Sequence, residues 1–419
     1  MSKSPILSAR AQANQWLTHI LGQQAMLDEA LAQRPATGTD ADQRFAMLLL
    51  LTTLQHLGQI DAVLARYLDK PLPAKRLAIM NTLRIGAAQL LLLHTPPHAV
   101  VNEAVAFIKK GKDVGLSGLV NAVLQKIARE KPALPEPIHN LPAWLRARWE
   151  KSYGHEAVAT MAQLATQRPP LDIHTTADAI EGVRLDAQIL RVGTAHAAVE
   201  SLAGYAQGAF FVQDIAASYP VRLLGDVREQ QVLDMCAAPG GKTMQLVQAG
   251  AFVTALDRSA ARMKRFKENM ARMGMQANMI VADAEQWQPT RSYDAILLDA
   301  PCSATGTWRR HPEMVHLVTP EKIAEMVAVQ RALLQRAWGW LKAGGTLVYC
   351  VCSLEVEEGE AQADWFAQTH RDAQWLPIPE ASGIPAACVR GDSLRTVPSH
   401  MAEQGGMDGF FAARFRKAA

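Results

Sequence analysis

Two stretches far apart in the chain, Asp299-Ala300-Pro301-Cys302 and Tyr349-Cys350-Val351-Cys352-Ser353, each set a cysteine just after an apolar, strand-like run. Thiols placed at strand ends beside a ligand site can act as nucleophiles. One reaction that uses two of them is methyl transfer to carbon-5 of cytosine or uracil, itself a poor nucleophile. A thiolate adding to carbon-6 builds electron density at carbon-5; a proton must later leave carbon-5 and the thiolate be eliminated. This chemistry needs a thiolate aimed at carbon-6, a second group to help release, and an acid at the nitrogen-3 and amino edge. Cys352, Cys302 and Asp299 supply one of each. The competing reading is packing, the usual fate of a free cysteine, and it is the reading for Cys236, Cys350 and Cys388 on spacing alone. A zinc site is disfavoured because Cys350-x-Cys352 has the wrong spacing and no histidine lies near it, so no metal is expected.

A loop upstream supplies the other half of the chemistry. Asp234-Met-Cys-Ala-Ala-Pro-Gly-Gly-Lys-Thr243 joins an apolar strand to a helix. Its small residues let backbone approach a ligand, and the helix start offers free N–H donors. Gly241-Lys242-Thr243 looks like the end of a phosphate loop, but the required first glycine is replaced by Cys236. The dinucleotide pattern G-x-G-x-x-G is also missing. A nucleoside ligand without a pyrophosphate remains. Asp257 ends the second strand, where a carboxylate accepts both ribose hydroxyls, and Asp283, after the third strand, can accept from an adenine amino group. Each acid alone is more often a helix cap or a solvated turn. Three acids, Asp257, Asp283 and Asp299, at successive strand ends point to S-adenosylmethionine.

The elements that must position these residues fall into three stretches. From Ala11 to about Lys131 the spacing is helical, with helices expected at Asp42 to Tyr67, Lys75 to His94, Val100 to Lys110 and Ser117 to Ala128. Pro96-Pro97 is expected to stop the second of these. Lys131-Pro-Ala-Leu-Pro-Glu-Pro137 reads as a linker and the clearest boundary. Residues 140–220 are mixed and short, beginning with a helix over Leu141 to Tyr153. From Gln231 strands alternate with helices, which predicts a parallel, doubly wound sheet with ligands at the carboxyl ends of its strands. The fold class expected is thus an all-α N-terminal domain (1–135), a small α/β connecting region (140–220) and an α/β Rossmann-like catalytic domain (221–419).

The 419 residues exceed one ordinary core. With 49% hydrophobic and 20% charged residues the composition is that of a soluble globular protein. Five cysteines are few and odd in number, against a disulfide framework and for a reducing compartment. Met1-Ser-Lys-Ser-Pro5 lacks the layout of a signal peptide, and the longest apolar runs, such as Phe45 to Leu51, are too short to span a membrane. A cytoplasmic location, no membrane partner and a monomer are the expectations. Net charge is +3, but residues 1–135 hold 15 Lys+Arg against 9 Asp+Glu while the remainder holds 28 against 31. A basic domain on a mildly acidic one suits a polyanionic partner, although ordinary surface scatter would look the same.

The catalytic stretch resembles the Sun family of RNA cytosine-5 methyltransferases. The residues that carry the resemblance are Cys236 to Thr243, Asp257, Asp283, Asp299-Ala-Pro-Cys-Ser-Ala-Thr-Gly306, Arg310-His-Pro-Glu313, Val348-Tyr-Cys-Val-Cys-Ser353 and Asp408-Gly-Phe-Phe411. The resemblance implies that Cys352 is the nucleophile, that Cys302 assists product release and that Asp299 orients the cytosine, with Lys242 also in the catalytic set. It further implies that Cys236, Ala237, Ala238, Pro239, Gly240, Gly241 and Lys242, with Asp257, Asp283 and Asp299, hold S-adenosylmethionine. Leu83-Arg-Ile-Gly-Ala-Ala-Gln-Leu90, Val101-Asn-Glu-Ala-Val105 and Leu119-Val-Asn-Ala-Val-Leu124 are similar to the NusB-like RNA-binding helical domain. That pair of domains is the layout of bacterial 16S ribosomal RNA methyltransferases, so the implied partner is 16S rRNA, naked or in early assembly intermediates. Leu141-Pro-Ala-Trp-Leu145 and Gln213-Asp214 match the family's connecting region. The sequence departs from the family at Val351, where threonine is usual, at Cys350, where Ser or Ala is common, and at Ile173-His174-Thr175-Thr176, where Leu-Arg-Val-Asn is frequent. A transfer-RNA cytosine-5 methyltransferase and a non-catalytic RNA-binding assembly factor are the rival readings.

Overall fold

The computed structural model describes residues 7–176, 180–193 and 199–419. The segment Met1-Ser-Lys-Ser-Pro5 lies outside the described residues. The chain forms two compact units: residues up to Gln167 together with Arg310–Leu317, and Arg168–Arg309 together with Val318–Ala419.

The first unit is helical: α1 (Ala9–Gln23), α2 (Leu27–Gln33), α3 (Asp40–Gln55), α4 (Leu57–Leu64), α5 (Leu77–Leu91), α6 (Pro97–Lys109), α7 (Ser117–Glu130), α8 (Ala143–Tyr153) and α9 (His155–Ala165). Thr39 and Asp42 form a reciprocal capping box that starts α3. In α7 the buried residues Val120, Val123, Leu124 and Ile127 recur at helical spacing and face Leu83 and Ala87 of α5 and Val101 and Ile108 of α6. Leu124 seats against Gly86, where an added Cβ would lie 2.7 Å from its side chain.

Two expectations need correction here. The continuous helix expected over Asp42 to Tyr67 breaks at His56 into α3 and α4, bent by 75°. The cause lies far away in sequence: the turn Pro137–Asn140 packs onto the corner. A Cβ on Gly58 would lie 1.9 Å from the His139 carbonyl oxygen, and the Gln59 backbone N–H donates to Asn140 Oδ1 at 3.0 Å. Pro97 is not only a stop for α5, since it occupies the first turn of α6, where a missing N–H costs nothing. The Pro-rich stretch 131–137 is docked, with Gln59 Nε2 donating to the Pro135 carbonyl at 2.5 Å. Among the described residues no single helix is long and apolar enough to cross a membrane.

The second unit opens with a four-stranded antiparallel sheet, β1 (Leu171–His174), β2 (Val183–Arg184), β3 (Ile189–Val192) and β4 (Phe211–Val212), in the order β2-β3-β1-β4. Arg191 on β3 makes a bidentate pair with Asp172 on β1 at 2.7 and 2.8 Å, both side chains being buried. After α10 (Ile215–Arg222) come β5 (Gln231–Met235), α11 (Gly241–Gln248), β6 (Phe252–Asp257), α12 (Ala260–Arg272), β7 (Asn278–Val281) and β8 (Tyr293–Asp299). Then follow α13 (Met314–Leu317, in the first unit), α14 (Pro320–Trp340), β9 (Leu341–Val351), α15 (Glu360–Thr369), β10 (Ala373–Leu376), β11 (Val389–Arg390), β12 (Ser393–Thr396) and β13 (Phe410–Lys417).

The large sheet runs β11-β12-β13-β9-β8-β5-β6-β7, with β10 also paired to β13. Strands β9, β8, β5, β6 and β7 are parallel, with helical crossovers joining β5 to β6, β6 to β7 and β8 to β9. The purely parallel sheet expected from the sequence is corrected beyond β9. There β13 pairs antiparallel with β9, and β10 and β12 pair antiparallel with β13. Helices cover both faces of the parallel part, so its strands are buried nearly throughout, with Val232, Leu233, Ile296, Leu297, Leu298 and Leu347 all fully enclosed.

Candidate active site

Parallel pairing is what brings the two cysteine segments together. Strands β8 and β9 are neighbours with Asp299 opposite Cys350, so the loops that follow leave the sheet side by side. The Ala300 N–H donates to the Cys350 carbonyl at 2.9 Å and the Gly306 N–H to the Cys352 carbonyl at 3.0 Å. Cys302 Sγ and Cys352 Sγ end 3.5 Å apart. Both line a cavity of ≈ 320 Å³ over the carboxyl ends of the parallel strands, together with Cys236, Asp257, Asp283 and Asp299. Six of the residues singled out from the sequence therefore meet at one space.

The thiols are not equivalent. A hydrogen bond with Cys352, then burial, then the charges of Cys352 and Glu358 hold the Cys302 thiol well above the usual thiol range. Two sulfurs this close resist double ionisation, so Cys302 stays protonated when its neighbour is a thiolate. Cys350 is fully buried and directed at Asp299 Oδ1, 3.5 Å away. Burial, then the Asp299 charge, raises it well above the usual range. Cys236 is pushed up to about 12 by burial, followed by Asp299, Asp257 and Asp234. Those two are poor nucleophiles in this environment. Val351, where a threonine was the family's habit, is buried in the β9–β13 pairing opposite Phe411.

The loop before α11 backs the cavity rather than facing it. Of Cys236 to Lys242, only Cys236 is among the lining residues; Ala237, Ala238 and Lys242 are buried, and Pro239, Gly240 and Gly241 lie away from the lining. Gly240 has φ 111°, a left-handed conformation that favours glycine, and a Cβ there would meet Phe266 at 3.0 Å. Lys242 Nζ donates to Asp299 Oδ2 at 2.8 Å. Burial opposes its charge, but Asp299 and nearby thiols outweigh it, and the ammonium is held above its usual range. Lys242 thus anchors Asp299 from below. Asp257 Oδ2 accepts from the Ala238 N–H at 3.1 Å and Oδ1 from the Ser259 N–H at 2.8 Å. Each oxygen keeps a lone pair for a ligand hydroxyl. Asp283 is exposed at the rim and accepts from the Glu285 N–H at 2.9 Å. A cavity of this size, lined by the carboxylates of Asp257, Asp283, Glu285 and Asp299, fits a nucleoside bearing a sulfonium cation. Among the described residues no three metal-ligating side chains cluster.

One buried acid was missed in the sequence. Asp234 on β5 is fully enclosed, with Oδ2 accepting from Thr243 Oγ1 at 2.5 Å and Oδ1 left without a hydrogen bond. It belongs to the same series of strand acids as Asp257, and that periodic placement was the available signal. Burial raises it to about 7, against a partial pull down from Thr243. Folding therefore favours the neutral acid. Its contribution is complete below the unfolded value of 3.8 and is lost as pH rises through about 7. Urea unfolding midpoints of the native chain and of Asp234→Asn, compared at pH 5 and pH 8, are expected to shift relative to each other. The substitution should gain about 1–3 kcal/mol on the native chain at the higher pH; a difference independent of pH would refute the neutral assignment.

The sheet order, the strand-end cavity and its acids define the Rossmann-like class of S-adenosylmethionine-dependent methyltransferases. The chain belongs, within that class, to the RsmB/F family of ribosomal RNA methyltransferases. The family model for 16S rRNA methyltransferase RsmB/F matches residues 221–416, and the NusB family model matches residues 7–129. The ribosomal RNA small subunit methyltransferase B of Citrobacter koseri is 33% identical over 100% of both chains. That of Proteus mirabilis is 33% identical over 87% of this chain and 92% of its own. In fold, the crystal structure of PH0851 superposes with a TM-score of 0.76 at 24% identity, covering 99% of this chain and 100% of that one. NSun6 from Pyrococcus horikoshii, solved with SFG, gives 0.57 at 19% identity, covering 66% and 98%.

Proposed function

We propose that this protein methylates carbon-5 of a cytosine in 16S ribosomal RNA through a covalent adduct between Cys352 and carbon-6. The observation that carries the reading is the pair of sulfurs 3.5 Å apart in one acid-lined cavity. Cys352 is the nucleophile, and Cys302, held protonated beside it, assists release. Asp299, fixed by Lys242, orients the base through its nitrogen-3 and amino edge. Cys236, Asp257 and Asp283 line the space for the cofactor, with Ala237 to Lys242 forming the wall behind it, and its sulfonium supplies the methyl group for the activated carbon-5. Solvent water takes the carbon-5 proton, the C–H electron pair re-forms the 5,6 double bond, and the Cys352 sulfur departs as a thiolate that accepts a hydrogen bond from the Cys302 S–H. The base must leave its stack to reach this depth, which favours an accessible loop or RNA not yet assembled into the subunit.

Residues 1–135 are the RNA-binding domain in this reading and 140–220 a connecting RNA-binding region, with 221–419 catalytic. Basic residues including Lys109, Lys110, Lys112, Lys126 and Arg129 would meet RNA backbone, in contacts that weaken with salt. The proposal includes a cytoplasmic monomer. The test is nucleoside analysis after incubation with S-adenosylmethionine and either naked 16S rRNA or total tRNA. 5-Methylcytidine in the ribosomal RNA is the expected product. Methylation confined to tRNA would move the substrate, and a methyl group on any other atom would overturn the cysteine chemistry.

A further inference from the structure

Glu358 is fully buried and lies outside the cysteine segments, yet it grips both. Its Oε1 accepts from the Ser303 N–H at 2.8 Å and from Gln330 Nε2 at 3.1 Å. Its Oε2 accepts from Ser303 Oγ and from Ser353 Oγ, each at 2.5 Å. Ser303 directly follows Cys302, and Ser353 directly follows Cys352. Four hydrogen bonds thus converge on the two oxygens of this carboxyl group, and every donor is neutral. Among the described residues Glu358 forms no ion pair. A buried polar group is costly unless hydrogen-bonded, and here the bonds run to both serines that follow the cysteines and to Gln330. The second tier of the network is closed as well: Gln362 Nε2 donates to Gln330 Oε1 at 3.0 Å, and Gln330 Nε2 also reaches the Pro301 carbonyl at 2.9 Å. Tyr349 Oη donates to the Glu358 carbonyl at 2.6 Å, which ties the carboxylate's own backbone to β9.

We propose that Glu358 is a positioning residue for methyl transfer: one buried carboxylate that straps the loop after Cys302 to the loop after Cys352 and so sets the separation of the two sulfurs. This rests on the assignment of Cys352 and Cys302 made above. Neither sulfur touches the carboxylate; it acts through the serines. Removing the strap leaves substrate contacts in place and loosens the geometry of the reacting groups, so the loss falls on kcat and not on KM.

The experiment pairs two readouts on Glu358→Gln, with Ser303→Ala and Ser353→Ala as milder variants that keep the carboxyl group. In steady-state methylation Glu358→Gln should lower kcat by about 30- to 100-fold with both KM values within about twofold, and each serine variant by about 5-fold or more. In the free enzyme, diamide serves as a chemical ruler: it takes one hydrogen from each thiol, becoming a hydrazine as the Cys302–Cys352 disulfide forms. Peptide mapping should show that disulfide forming about 10-fold more slowly in Glu358→Gln than in the native chain. If all three variants keep native kcat and the native rate of disulfide formation, the strap is refuted while the cysteine assignment stands. If Cys352→Ala remains active, the cysteine assignment and the strap fall together.

Discussion

Replacing Cys352 by alanine is expected to reduce methyl transfer by about 10⁴-fold or more while leaving S-adenosylmethionine affinity within about threefold. The other thiols cannot take over. Cys350 is enclosed and turned to Asp299, and Cys236 is pushed up to about 12 among three carboxylates. Cys302 reaches the cavity but is held protonated by its hydrogen bond with Cys352 and by burial. Single-turnover transfer of a labelled methyl group to 16S rRNA, with calorimetric titration of the cofactor, gives both quantities. Residual activity within tenfold of the native chain would mean that a different group attacks the base.

The opposite substitution should produce a different defect. Cys302→Ala is expected to form the adduct at a near-native rate and then stall, accumulating a protein–RNA complex that survives denaturant. The alanine leaves Cys352 in the cavity and removes the only other thiol within 3.5 Å of it that faces the same space. A gel shift under denaturing conditions should show at least about a tenfold excess of adduct over the native chain, and the double substitution with Cys352→Ala should show none. Sequencing the trapped RNA identifies the substrate. Absence of the adduct, with the native chain still methylating RNA, would mean that Cys302 has no part in release.

Much of the site was open to a reading of the chain because its signals are local. A strand followed by a small-residue loop and a helix announces itself in the run from Asp234 to Thr243. Asp257, Asp283 and Asp299 stand at strand ends that can be counted along the sequence. The parallel direction of β5, β6, β7 and of β8, β9 follows from the helices that separate them, whereas their order β7-β6-β5-β8-β9 is a property of the folded sheet. Glu358 was illegible for the converse reason. In Glu355-Val-Glu-Glu358 it looks like one more solvated acid in a turn, and only folding reveals that its partners are Ser303, Gln330 and Ser353.

The helix break at His56 belongs with Glu358. Gly58 weakens the stretch from Asp42 to Tyr67 locally without fixing a break, and the bend follows from Gly58 and Gln59 meeting a turn some 80 positions later. The same holds for Arg310–Leu317. These residues follow the Cys302 loop directly, yet the Leu27 N–H donates to Glu313 Oε1 at 3.3 Å and Leu317 enters the core that contains Trp16 and Leu50. By itself the sequence determined which residue types carry the chemistry and which strands bring them to one edge, because pattern and spacing along the chain encode both. Tertiary structure alone decided that two sulfurs fifty positions apart stand 3.5 Å from each other, that Lys242 supports Asp299, and that Cys350 is turned away from the cavity. Those outcomes depend on sheet register and on which side chains burial leaves unpaired, and neither is written in any local stretch of residues.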